Sequence, residues 1–273
     1  MPSRAIANPH PEFGIELVRD WIPDGPPKAH IVLVHGIAEH SGRYERTGDL
    51  LAEAGYHVRG FDLRGAGGSG GRRWDVETWT QYHDQVQTHV EWAKDQGTPV
   101  VLMGHSLGGV VSLGYLLDVS RPQPDLAVLS APALTGGAGW QRALAPVAAR
   151  IAPTVALANS VDGGHLSRDP AVAEAYFADP LVVTKTTFRL GAAFFDEMDR
   201  LNAGLGRLTV PTLVIHGGDD RLVATASSES LGELDVVDRV VYDGLRHETL
   251  NEPEGPEVVA DVVEWLDRRL AGD

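Results

Sequence analysis

Ser106 stands at the centre of Gly104-His105-Ser106-Leu107-Gly108-Gly109. An apolar run, Val100 to Met103, leads into it behind Pro99, and Val110 to Leu117 reads as the first turns of a helix after it. Strand, sharp bend and helix, with Gly-x-Ser-x-Gly at the bend, make a nucleophile elbow. The bend strains the serine backbone and leaves no room for side chains two residues away, a need that Gly104 and Gly108 meet. It lifts the hydroxyl above the strand ends and aims the first amides of the helix at the point where an oxyanion would form. With 31 glycines in 273 residues the pentapeptide can arise by chance, so the flanking strand and helix carry the inference.

A serine hydroxyl needs an adjacent base, and the base needs a partner that fixes its tautomer and stabilises its cation. On an elbow of this kind the acid and then the histidine follow the serine in chain order. Of 11 histidines, only His216 and His247 lie late enough. His216 ends a strand and precedes the acidic pair Asp219-Asp220, so its order is wrong. His247 lies in a loop after the final strand and is the expected base. The acid belongs in the loop after His216. Asp220, which opens Asp-x-x-Val, is favoured, and Asp219 stays as the alternative. Residues His35 to Tyr44 follow an apolar strand, and the Ile37 amide is the candidate second oxyanion donor beside Leu107.

These residues need a scaffold. Runs at Ala29–Val34, His57–Phe61, Val100–Met103, Asp125–Ser130, Val210–Ile215 and Arg239–Tyr242 read as strands. Helices are expected over Tyr44–Glu53, Val76–Gln96, the segment after the elbow and Gly255–Leu270, with a short one near Thr225–Leu234. A loose alternation over Phe13–Trp21 suggests a first strand. Alternating strands and helices predict an α/β fold with a doubly wound, mostly parallel sheet. From residue 131 to about 207 no strand is evident. The expected division is a core of residues 1–130 and 208–273 with a helical cap inserted at 131–207. In that insert Trp140, Leu144, Val147, Ala148 and Ile151 share one helical face, expected mainly to pack on the core, with a remainder for an acyl pocket or lipid.

Composition narrows the function. A formal net charge of −15 disfavours nucleic acid and anionic lipid surfaces as partners. There is no cysteine, which removes disulfides and thiolate chemistry. Gly65, Gly67 and Gly70 fit G-x-G-x-x-G, but they run into Arg72-Arg73 instead of a helix, so a dinucleotide site is not expected. Neither a metal motif nor a P-loop lysine is present, and no cofactor is expected. The first residues lack an apolar signal segment and no run is long enough to span a membrane, so a cytoplasmic protein is expected, with peripheral membrane association left open.

From Pro27 to Leu270 the chain resembles the monoacylglycerol lipases of the α/β-hydrolase superfamily, within the wider lysophospholipase-like serine hydrolases. The resemblance rests on His35-Gly36-Ile37-Ala38-Glu39-His40-Ser41-Gly42-Arg43-Tyr44, on the elbow, and on Ser167-Arg168-Asp169-Pro170 with Tyr176 to Leu181. His216 to Asp220 and His247-Glu248-Thr249-Leu250-Asn251-Glu252 complete it. It implies an α/β-hydrolase fold, and ester hydrolysis with acylglycerol as substrate. It also places Glu39, Arg43 and Tyr176 around a glycerol head group. Two departures stand out. The loop after Asp62 lacks the family's histidines, and Leu250 replaces a second histidine that some members carry. The competing expectations are a lysophospholipase or short-chain carboxylesterase with the same triad, and an inactive ligand-binding module.

Overall fold

The computed structural model describes residues 3–159 and 161–272. In chain order the elements are β1 (Arg4–His10), β2 (Gly14–Trp21), β3 (His30–Val34), α1 (Glu45–Glu53), β4 (His57–Phe61), α2 (Thr80–Lys94), β5 (Val100–His105) and α3 (Leu107–Leu116). After β6 (Leu126–Ser130) come α4 (Gly139–Ile151), β7 (Ala156–Ala158), α5 (Pro170–Ala178), β8 (Lys185–Thr187) and α6 (Phe188–Asn202). The chain closes with β9 (Thr212–Gly217), β10 (Val237–Tyr242) and α7 (Gly255–Ala271). Eight strands form one sheet in the order β1-β2-β4-β3-β5-β6-β9-β10. Pairing is parallel from β4 through β10 and antiparallel at β1–β2 and β2–β4.

The central strands are apolar almost without a break because helices cover both faces and leave neither to water. Alternate residues point to opposite sides. Val32, Val34, Leu102, Leu129 and Val214 pack with Val86, Val90, Val110 and Leu113 of α2 and α3. Ile31, Leu33, Val101, Met103, Val128 and Ile215 pack with Leu51 of α1 and with Val262, Trp265 and Leu266 of α7. The elbow therefore sits at the C-terminal end of a strand clamped on both faces, which holds Ser106 still.

The structure corrects four expectations. The first strand is a hairpin: β2 starts at Gly14, and β1 pairs with it from Arg4 to His10. β1 buries no face, so it leaves no periodic trace, and at the sheet edge its Pro9 is tolerated. The expected helix near Thr225–Leu234 is a single 3-10 turn over Thr225–Ser228. The insert is not purely helical, since β7 and β8 pair antiparallel through Leu157 and Thr186; three-residue strands are too short to show a period. Finally, α4 does not bury its apolar face. Trp140 is 65% and Ile151 78% exposed, and Leu144 and Val147 are exposed with them. α6, by contrast, buries Leu190, Ala192, Met198 and Leu201.

Polar side chains tie the insert to the sheet domain. Thr187 caps α6 by accepting from the Leu190 amide, and its hydroxyl donates to Asp75 at 2.9 Å. Arg189 grips the same Asp75 carboxylate with two nitrogens. Farther along, His40 Nε2 meets Asp179 at 2.9 Å. Asp169 caps α5 through the Ala171 amide, with Pro170 in the first turn where a missing N–H costs nothing. Among the described residues no helix is long and apolar enough to cross a membrane.

Candidate active site

Ser106 links β5 to α3 with φ 53° and ψ −115°. A non-glycine residue held there is strained, and such strain persists only where the surroundings enforce it. Two glycines permit the bend. A Cβ on Gly104 would lie 2.4 Å from the Gly108 carbonyl oxygen, and one on Gly108 would lie 2.2 Å from that of Val34. Both obstacles are backbone and cannot swing aside. Gly108→Ala should therefore force β3 and α3 apart and cost about 1–3 kcal/mol. A thermal melt that matches the parent to within about a degree would contradict this packing argument.

His247 Nδ1 lies 2.7 Å from Asp220 Oδ2. The other oxygen of Asp220 accepts from the Leu222 and Val223 amides, both at 2.9 Å. His216 Nε2 is 3.3 Å from Oδ2 on the same carboxylate. Burial pushes the Asp220 carboxyl up, but hydrogen bonds from His216, His247 and the Val223 amide outweigh it and hold the group well below the usual carboxylate range. Asp220 is thus an anion beside the imidazole, and Nδ1 carries the proton between them. Asp219 points elsewhere: among the described residues its carboxylate meets only Arg221, at 3.4 Å.

Ser106 and His247 line one cavity of about 730 Å³. The expected oxyanion donors, Ile37 and Leu107, line it too. Leu107 opens α3, so its amide has no carbonyl in the helix to bond. Ile37 lies in the loop after β3, which His35 braces. His35 Nε2 accepts from the Leu63 amide at 2.9 Å, so Nδ1 holds the proton and donates to the Gly36 carbonyl at 2.7 Å. Burial lowers the pKa of His35, and it stays neutral.

Glu39, Arg43 and Tyr176 also border the cavity. Glu39 Oε1 accepts from the Gly36 amide at 2.5 Å and from Tyr44 Oη at 2.8 Å, while Oε2 accepts from Arg43. Arg43 forks onto both oxygens of Glu248 at 2.7 and 2.8 Å, and its guanidinium lies 4.8 Å from the Tyr176 ring centre. Burial disfavours each charge, yet Arg43 lowers the Glu39 pKa and Glu248 and Glu39 raise that of Arg43. One end of the cavity is therefore ionic. The remainder is mostly apolar, with Trp140, Leu144, Leu157, Phe194, Phe195 and Met198 in its lining.

Some participants were not read from the sequence. His216 was discarded as a base, yet it lies against the same carboxylate as His247. Glu248 adjoins His247 in sequence, but its pairing with Arg43 spans 205 residues and is invisible locally. His105 lies with its ring centre 4.8 Å from that of His247, and its Nδ1 meets Ser130 Oγ at 3.0 Å. Burial and the neighbouring His247 push its pKa down to about 4, so it adds no charge near neutral pH. Both departures from the family phrases fall outside the cavity. Leu250 is buried with Trp265 and Leu266. Asp62 holds its own loop by accepting from the Ser41 amide and hydroxyl and from the Gly68 amide.

A mostly parallel sheet covered on both faces, with a strained serine at the end of β5, defines an α/β-hydrolase fold. The family described as serine aminopeptidase, S33, matches residues 25–254, and the chain belongs to it. A monoacylglycerol lipase of Mycolicibacterium smegmatis is 36% identical over 269 residues, covering 93% of each chain. The phospholipase YtpA of Bacillus subtilis is 30% identical over 254 residues, covering 87% of this chain and 94% of its own. Among solved structures, the Paleococcus ferrophilus monoacylglycerol lipase superposes with a TM-score of 0.83 at 32% identity, covering 91% of this chain and 97% of that one.

Proposed function

We propose that this chain is a serine ester hydrolase that cleaves monoacylglycerol to fatty acid and glycerol. The observation that carries the reading is the His247–Asp220 pair, whose histidine borders the same cavity as the strained Ser106. Asp220 occupies Nδ1 of His247 and leaves Nε2 to take the Ser106 proton as Oγ attacks the acyl carbon. The carbonyl oxygen becomes an oxyanion, which the Ile37 and Leu107 amides hold. His247 then gives the proton to the leaving glycerol oxygen as the ester bond breaks. Water, deprotonated by the same imidazole, attacks the acyl-enzyme and releases the acid and Ser106.

The apolar length of the cavity suits an acyl chain, and the ionic end at Glu39, Arg43 and Tyr176 suits a hydroxylated head group. Residues 1–130 and 208–273 act as the catalytic core, and 131–207 as a cap. Because α4 leaves Trp140, Leu144, Val147 and Ile151 exposed beside the cavity, that face would meet the lipid from which substrate is drawn. A lysophospholipase is the second reading, supported by the similarity to the Bacillus phospholipase. Rates on monoacylglycerols, lysophospholipids and short esters, with Ser106→Ala as control, test the proposal. Monoacylglycerol should give the highest kcat/KM. A preference for lysophospholipid would favour the second reading, and failure of an organophosphate to label the protein would favour an inactive binding module. For the lipid face, Trp140→Glu with Ile151→Glu should reduce flotation with neutral-lipid vesicles while hydrolysis of a soluble short ester is kept.

A further inference from the structure

Two phrases of the sequence, Ser167-Arg168-Asp169-Pro170 in the insert and Thr249-Leu250-Asn251-Glu252 after the last strand, have no part in the mechanism above. They meet at one carboxylate. Glu252 has no solvent exposure, and a carboxylate is tolerated there only where donors replace the water it has lost. Oε1 accepts from the Arg246 amide at 2.6 Å. Oε2 accepts from the Arg168 amide at 3.0 Å, and from Arg168 Nε and Ser167 Oγ at 3.2 Å. One oxygen thus holds the residue next to His247. The other holds the insert, 84 residues away in sequence.

Further bonds join the same two segments. The Glu248 amide donates to the Leu166 carbonyl at 2.8 Å, and the His247 amide donates to the His165 carbonyl at 3.4 Å. Arg246 Nη1 returns a bond to the Ser167 carbonyl at 3.0 Å. Arg46, in α1, donates to the Glu252 carbonyl at 2.7 Å and so ties the junction to the sheet domain. Residues 165–168 of the insert therefore lie alongside 246–248 and hold the backbone of His247. Its imidazole is fixed at one end by Asp220. The backbone end depends on this junction.

We propose that Glu252 is a positioning residue for His247, clamping the histidine loop to residues 165–168 so that the imidazole is correctly placed only while the insert is seated. The proposal rests on the reading of His247 as the base. Glu252 lies outside the cavity lining, so it acts without touching substrate. Misplacing a reacting group by about 1 Å can cost about a hundredfold in rate, and this sets the scale of the expected effect.

Glu252→Gln tests it. A glutamine has one acceptor oxygen, so its NH2 must face either the Arg246 amide or the donors of Ser167 and Arg168, donor against donor. We expect kcat to fall about 10- to 100-fold on both a monoacylglycerol and p-nitrophenyl acetate, with KM within about twofold. Rates are normalised to active sites titrated with an organophosphate, so misfolded protein is not counted. Arg168→Ala is the second variant. Its side chain is 36% exposed, and its loss should lower kcat about three- to tenfold with the same split. The proposal is overturned if folded Glu252→Gln keeps kcat on the acetate ester within about twofold of the parent, or if the loss is confined to KM for the long-chain ester. If Glu252→Gln does not fold, the same criterion applied to Arg168→Ala decides. Ser106→Ala runs in parallel: activity surviving there sinks the nucleophile assignment itself, whereas an inactive Ser106→Ala beside parent-like Glu252 and Arg168 variants sinks only this proposal.

Discussion

Ser106→Ala is expected to lower kcat by roughly six powers of ten on every ester the protein cleaves. The proposed pathway passes through a covalent bond to Oγ, and a methyl group cannot form it. The rate left over should be the smaller acceleration that bound substrate and two oxyanion amides give an attacking water. Little else should change. Alanine keeps the Cβ of serine, so the positive φ at the elbow and the packing of Gly104 and Gly108 are retained. A thermal melt should coincide with that of the parent, which separates lost chemistry from lost fold. Retention of more than about one per cent of the parent kcat would remove Ser106 from the role of nucleophile.

Asp220→Asn should cost about four powers of ten in kcat. The amide oxygen can still accept from the Leu222 and Val223 amides. The NH2 group then faces His247 Nδ1 and favours the tautomer with the proton on Nε2, where it cannot take the serine proton. Asp219→Asn is the matched control and should stay within about twofold of the parent, because its carboxylate meets the exposed Arg221 and not His247. Steady-state kinetics on both variants decide the matter, and a larger loss at Asp219 would reverse the assignment. A stability effect accompanies the kinetic one. The Asp220 pKa in the folded protein lies below its ordinary value. Its stabilising contribution is therefore full above about pH 4 and is lost as the pH falls toward the lower folded value. Urea unfolding below pH 4 should show a weaker pH dependence in Asp220→Asn than in the parent.

The choice between Asp219 and Asp220 illustrates what a sequence leaves open. Adjacent residues in a tight loop point in different directions, and the choice depends on where the loop turns in space. Here Asp220 turns inward because its own carboxylate takes the Leu222 and Val223 amides. The apolar face of α4 poses the same difficulty on a larger scale. Helical spacing shows that Trp140, Leu144, Val147 and Ile151 share a face, but spacing does not say what that face meets. In α6 the comparable face is buried against the sheet domain, and in α4 it is open. β1 and the β7–β8 ribbon left no trace because an exposed edge strand and three-residue strands impose no burial period.

The amino-acid sequence by itself determined the parts of this protein whose causes are local. The elbow needs a serine between two glycines within five residues, and the buried parallel strands need unbroken apolar runs. Each is dictated by sterics or solvent exclusion over a short stretch of chain. Only the tertiary structure decided which distant groups meet: His216 behind Asp220, Arg43 between Glu39 and Glu248, and Glu252 between the insert and the histidine loop. Those pairings arise because a buried charge must find partners wherever the folded chain brings them, and separation along the chain puts no limit on that choice.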